Sequence, residues 1–137
     1  MKKDIESRAD IELLVQEFYK VVRQDPEIGY IFDYIVENRW EKHLDKMYRF
    51  WSSLLLAENS YDGNPMLKHI KLHERIPLTY RHFDVWLQIW TNTVNTHFTG
   101  LVAQEAIFRG TMIKEMMSSR VISEDLPEFI KQRAMGI

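Results

Sequence analysis

Apolar side chains recur every three or four residues along most of this 137-residue chain, and nowhere does a strict apolar–polar alternation persist. That periodicity admits helices and excludes sheets. With five glycines and four prolines to interrupt it, the chain reads as all-α. Ser7 and Asp10 offer caps for a first helix to about Gln24, whose inward face is Ile11, Leu14, Val15, Phe18, Val21 and Val22. Asp25-Pro26 stops it, and Ile28-Gly29-Tyr30-Ile31-Phe32 reads as a short turn with apolar residues aimed inward. A second long helix runs from near Asn38 to about Ala57. Its broad inward stripe includes Trp40, His43, Leu44, Met47, Phe50, Trp51, Leu54 and Leu55, with Arg39, Glu41, Lys42, Asp45 and Arg49 on the other side.

Residues 58–65 are a loop by composition. A short helix follows and carries His69, ending near His73 before Pro77. Thr79 is the expected N-cap of a helix that buries Phe83, Trp86, Leu87, Trp90, Val94 and Phe98, and Thr99-Gly100 breaks it. The last long helix, about Leu101 to Arg120, puts Ala106, Gly110, Ile113 and Met117 on one face. Gly110 costs a helix interior about 1 kcal/mol against alanine, which points to a close helix approach there. Leu126, Phe129 and Ile130 suggest a final amphipathic turn. One domain spanning 1–137 is expected, with its core at 10–120 and a C-terminal tail at 121–137.

Composition narrows the function classes. There is no cysteine, which rules out disulfides, thiolate catalysis and thioether-attached haem. Basic and acidic residues number 18 and 20 without a basic stripe, so nucleic acid is not an expected partner. No apolar run approaches a membrane span or a signal peptide, and a cytoplasmic protein is the default reading. Four Trp, six Tyr, seven Phe and seven Met are enough to fill a core or to line a cavity for a flat apolar ligand.

Four residues set polar or planar groups on apolar stripes: Tyr19, His43, His69 and Trp86. Each needs a partner when buried, and four in a small domain point to a shared polar ligand in an apolar pocket. Neutral imidazole suits iron, zinc or copper, and His69 and His73 stand one helical turn apart.

In collinear order from about residue 10 to 117, the chain carries Phe18-Tyr19, Ile31-Phe32, Trp40-Glu41-Lys42-His43-Leu44, Phe50-Trp51, Tyr61-Asp62-Gly63-Asn64-Pro65-Met66, His69-Ile70-Lys71-Leu72 and His82-Phe83-Asp84-Val85-Trp86-Leu87. The ordered set resembles the truncated haemoglobins, the two-over-two globins, and most closely their group III. The resemblance implies a truncated globin-like two-over-two helical sandwich around haem b. It makes His69, four residues after Pro65, the axial ligand of the haem iron, with His73 as its rival or as a partner for a haem propionate. Tyr19, His43 and Trp86 fall on the family's distal ligand-binding positions, and Phe32, Met47, Phe50 and Trp51 become pocket walls. Lys46 and Arg39 lie near the expected pocket mouth.

The function so implied is a haem protein binding O₂, NO, CO or another diatomic ligand at a pentacoordinate iron with a polar distal side. NO dioxygenase-like or peroxidase-like turnover fits the same donors. No flavin or nicotinamide motif is present, so any electron donor is a separate protein. Two readings from other classes stand beside it. One is a cofactor-free helical interaction module. The other is a non-haem metal site built from His43, His69 and His73, although the Glu-x-x-His pairs of di-iron bundles are missing.

Overall fold

The computed structural model describes residues 1–58, 69, 72, 73 and 76–122. The loop expected at 58–65, apart from Glu58, lies outside these residues. So do the Pro65 motif and the turn at Leu126, Phe129 and Ile130. Five helices of two turns or more are described: α1 (Arg8–Gln24), α2 (Gly29–Val36), α3 (Trp40–Leu55), α4 (Tyr80–His97) and α5 (Leu101–Ile122). Helix α1 packs on α3 and α4, α4 packs on α5, and α2 braces α1.

The helix ends follow from local chemistry. Ser7 and Asp10 form a reciprocal capping box at the start of α1, satisfying donors that the first turn leaves orphaned. Thr79 caps α4 in the same way, with His82 at the third position. There the imidazole accepts from the Thr79 N–H in place of the usual Glu or Gln. The segment expected as a turn at 28–32 is the opening of an eight-residue helix instead. The Asp25 carboxylate accepts from the N–H groups of Glu27 and Ile28, which folds residues 26–28 into a turn that leads into the helix at Gly29. Val21 is another departure, 49% exposed rather than inward. Ile11, Leu14, Val15, Phe18 and Val22 already fill the face that α1 presents to its neighbours.

The core is built around Trp90, which is completely buried. Its ring stacks on Trp51 at 4.1 Å and lies parallel to Trp86 at 6.4 Å, while Phe18 meets it edge-on at 5.2 Å. The Trp90 indole N–H donates to the Ala106 carbonyl of α5 at 2.9 Å. That bond explains Gly110, because a Cβ there would stand 2.7 Å from Trp90 Cδ1. The glycine lets the indole edge reach a helix backbone.

The N-terminal residues are a structural part that periodicity does not flag. Ile5 is buried in the same core, and the Thr99 N–H donates to the Lys3 carbonyl. Asp4 caps α5 from across the chain, its carboxylate accepting from the N–H groups of Val102 and Ala103 at 3.0 and 2.8 Å. Gly100, at φ +137°, makes room for it, since a side chain there would collide with the carboxylate.

Partial burial works against the Asp4 charge, but the Val102, Ala103 and Ile5 N–H groups outweigh it and hold the carboxyl below its ordinary 3.8. A depressed carboxyl stabilises the fold at pH values above its unfolded pKa, and the contribution disappears as pH falls through the folded value. Asp4→Ala is expected to lose about 1 kcal/mol of stability at neutral pH. It should also show a shallower acid loss below pH ~4 than the wild type in urea melts. Equal stability of the two proteins at neutral pH would contradict the cap.

Candidate functional site

One large cavity, about 1100 Å³, opens between α3, α2, the N-terminal half of α4 and the inner side of α5. It accounts for part of the burial pattern of α3. Only Trp51 and Ser52 of that helix are fully buried; from the rest of the expected inward stripe His43, Met47 and Phe50 line the cavity, while Trp40, Leu44, Leu54 and Leu55 pack half-buried against the core. Phe32, Met47, Phe50 and Trp51 are all in the lining, as is Lys46.

Tyr19 and His43 meet on the α1–α3 wall, with His43 Nε2 2.9 Å from the Tyr19 hydroxyl. Which of the two donates depends on the imidazole tautomer. Phe32 and Trp40 surround the pair edge-on, and Arg23 lies over the outer face of Trp40 at 4.2 Å. Burial pushes the Tyr19 phenol well above its ordinary pKa, so it keeps its proton throughout the physiological range. Trp86, half-buried, faces the same cavity from α4, held between Trp90 and the edge of Phe18.

His69 lines the cavity on the α4 side, where its ring lies 6.3 Å from that of Phe83. His73 does not line it. Its Nδ1 accepts the Leu78 N–H at 2.7 Å, which turns the ring to the bend that leads into α4. That bond, and not the cavity, accounts for where the His73 ring sits. A three-histidine site is set aside as well: among the described residues no three His, Asp or Glu side chains converge on a possible metal position.

The cavity rim holds what sequence reading missed. Lys42 and Arg49, expected on the outer side of α3, line the cavity together with Arg39 and Lys46. Their 3-4-3 spacing puts these four on one edge of the helix, a signal that was available. Arg49 pairs with Asp45 at 3.1 Å, and Arg39 caps the Ile35 carbonyl. His82 also lines the cavity. Burial lowers its pKa, with the Glu27 carboxylate opposing in part, and its capping bond from the Thr79 N–H needs an unprotonated Nδ1. Ile113 and Met117 close the back from α5.

The model of the bacterial-like globin family matches residues 3–120. The chain belongs to that family. A group 3 truncated haemoglobin, ctb, of Campylobacter jejuni is 29% identical to this globin over 116 residues, covering 82% of this chain and 89% of that protein. The crystal structure of a group III truncated haemoglobin from Campylobacter jejuni matches it with a TM-score of 0.82 at 26% identity. That match covers 93% of this chain and all of the other. The fold is therefore the two-over-two sandwich of the group III truncated haemoglobins, and the globin family implies haem and a small diatomic ligand.

The residues present fit that group. A flat macrocycle with two carboxylates needs apolar walls, a basic rim and an imidazole within the cavity. Phe32, Met47 and Phe50 would provide walls and Lys42 and Lys46 the rim charge, and the imidazoles of His43, His69 and His82 are in the lining. Among the described residues no helix is long and apolar enough to cross a membrane.

Proposed function

We propose that this globin holds haem b through His69 and retains a diatomic ligand, O₂ first among them, beside Tyr19, His43 and Trp86. When bound, the haem would be held by His69 and would supply an iron centre able to take a diatomic ligand. The observation that carries the reading is the Tyr19–His43 pair, Tyr19 buried and His43 half-buried, in the lining of the same cavity as His69.

The chain's own residues do the rest. Tyr19 holds a proton at its hydroxyl, and burial keeps it there. If His43 Nε2–H donates to the Tyr19 oxygen, the phenolic proton is left to be offered into the cavity. If Tyr19 donates to Nε2, the hydroxyl oxygen accepts and a tautomer change restores the donor. The Trp86 indole, which carries an N–H, lines the same cavity. Donors fixed in an apolar cavity favour a ligand that gains negative charge on binding, and they need little reorganisation to do so. His73 and His82 each accept a backbone N–H at Nδ1, and His69 lines the cavity on that side.

A wall with several donors favours slow release over bulk oxygen transport. It also suits redox turnover in which nitric oxide is oxidised or a peroxide is polarised. Reducing equivalents then come from a separate electron-donor protein, and the exposed basic rim of α3 is the side such a donor would approach.

Tyr19→Phe tests the reading. The ring contacts with Phe18, Phe32 and Trp40 survive the change, and only the hydroxyl is lost. O₂ dissociation measured by stopped flow should accelerate by about tenfold, the equivalent of one hydrogen bond to a charged acceptor. An unchanged rate would remove Tyr19 from the donor set. Trp86→Phe should alter ligand rates while leaving helix content unchanged, and identical rates would reduce Trp86 to a packing residue.

A further inference from the structure

Helix α5 is apolar on two sides. Ala103, Ala106, Gly110 and Met117 are buried against the rest of the protein. On the opposite side Leu101, Phe108, Met112 and Met116 are exposed, Phe108 to 57% and Leu101 to 81%. Phe108, Met112 and Met116 follow one another at four-residue steps and so share one stripe of the helix surface, with Leu101 at its head. An aromatic ring and two methionines side by side in water are the composition of an interface centre.

The charges around the stripe select the occupant. Glu105 sits within it, between Leu101 and Phe108, and pairs with Arg109 at 2.8 Å along the same helix. Arg120 stands exposed in the last turn. We propose that this face pairs with the same face of a second copy of the chain, the two α5 helices running antiparallel about a two-fold axis beside Met112. A two-fold axis makes the contact self-complementary. Met112 then meets Met112 of the second copy, and Phe108 meets Met116 on either side of the axis. Glu105 and Arg120 lie on the same flank of the stripe, seven and eight residues from Met112 in opposite directions, so each Glu105 faces the other copy's Arg120. A parallel arrangement would instead set Glu105 against Glu105 and Arg120 against Arg120. Like charges brought face to face are unfavourable, and the antiparallel register instead gives each Glu105, already paired with Arg109 on its own helix, a second basic neighbour. Ile113 and Met117 still face the cavity from the other side of the helix, so pairing leaves the haem pocket open.

Sedimentation equilibrium of the full-length haem-loaded protein tests the proposal, with circular dichroism to confirm that each variant keeps its helix content. The wild type should show a concentration-dependent monomer–dimer equilibrium. Met112→Lys should raise the dissociation constant by about tenfold or more, as removal of a central anchor does. Glu105→Arg and Arg120→Glu should each weaken self-association. Mixed in equal amounts, the two variants should dimerise with each other, because both contacts again join opposite charges. A wild type that stays monomeric at every concentration reached would overturn the proposal. So would a Met112→Lys protein that associates like the wild type, or a charge-swapped mixture no tighter than its components.

Discussion

His69→Ala is expected to lose stoichiometric haem, with affinity lowered by more than about a hundredfold, since even the supporting partners of a ligating histidine are worth 10–100-fold. The expectation rests on placement: His69 lines the cavity and His73 does not. His73 spends its Nδ1 on the Leu78 N–H, so His73→Ala should keep haem and lose only the stability of that bend, about 1 kcal/mol. The two variants are therefore predicted to differ in kind. Adding imidazole to His69→Gly should recover a bound-haem spectrum, because the walls and the basic rim remain intact. Normal haem retention by His69→Ala, with loss in His73→Ala, would transfer the ligand to His73.

Gly110→Ala is expected to destabilise the fold by about 1–3 kcal/mol, although alanine is the better helix former by about 1 kcal/mol. The new methyl would stand 2.7 Å from Trp90 Cδ1 and 3.0 Å from Nε1. Trp90 cannot yield easily, since its ring is stacked on Trp51 at 4.1 Å and flanked by Trp86. Any shift would also stretch the buried bond from its N–H to the Ala106 carbonyl. Equilibrium urea unfolding gives the sign directly. In a Trp90→Phe background the smaller ring removes the collision, and Gly110→Ala should become neutral or stabilising there, giving a large coupling between the two sites. Stabilisation by Gly110→Ala in the wild-type background would mean that the two helices are not held together in this way.

Helix periodicity made the long elements legible, because α1, α3, α4 and α5 each present a face that must be buried. It located Tyr19, His43 and Trp86 as polar groups on apolar stripes, and all three do line one cavity. The family resemblance also held, over residues 3–120. What periodicity could not carry were interactions set by single atoms. Asp4 capping a helix almost a hundred residues away leaves no local pattern. The Asp25 carboxylate turned an expected bend into α2, and one backbone N–H drew His73 away from the cavity. Lys42 and Arg49 were misplaced for a different reason. Charged side chains are normally assigned to the solvent face, yet at a cavity mouth the solvent face and the site are the same edge of the helix.

Haem binding is tested most directly by an absorption spectrum of the purified protein after haem reconstitution, reduction and addition of CO. One haem per chain is expected, with a histidine-type five-coordinate ferrous form and a sharp Soret band that shifts with CO. Failure to take up haem in stoichiometric amount would contradict that expectation and leave a globin fold without its expected cofactor.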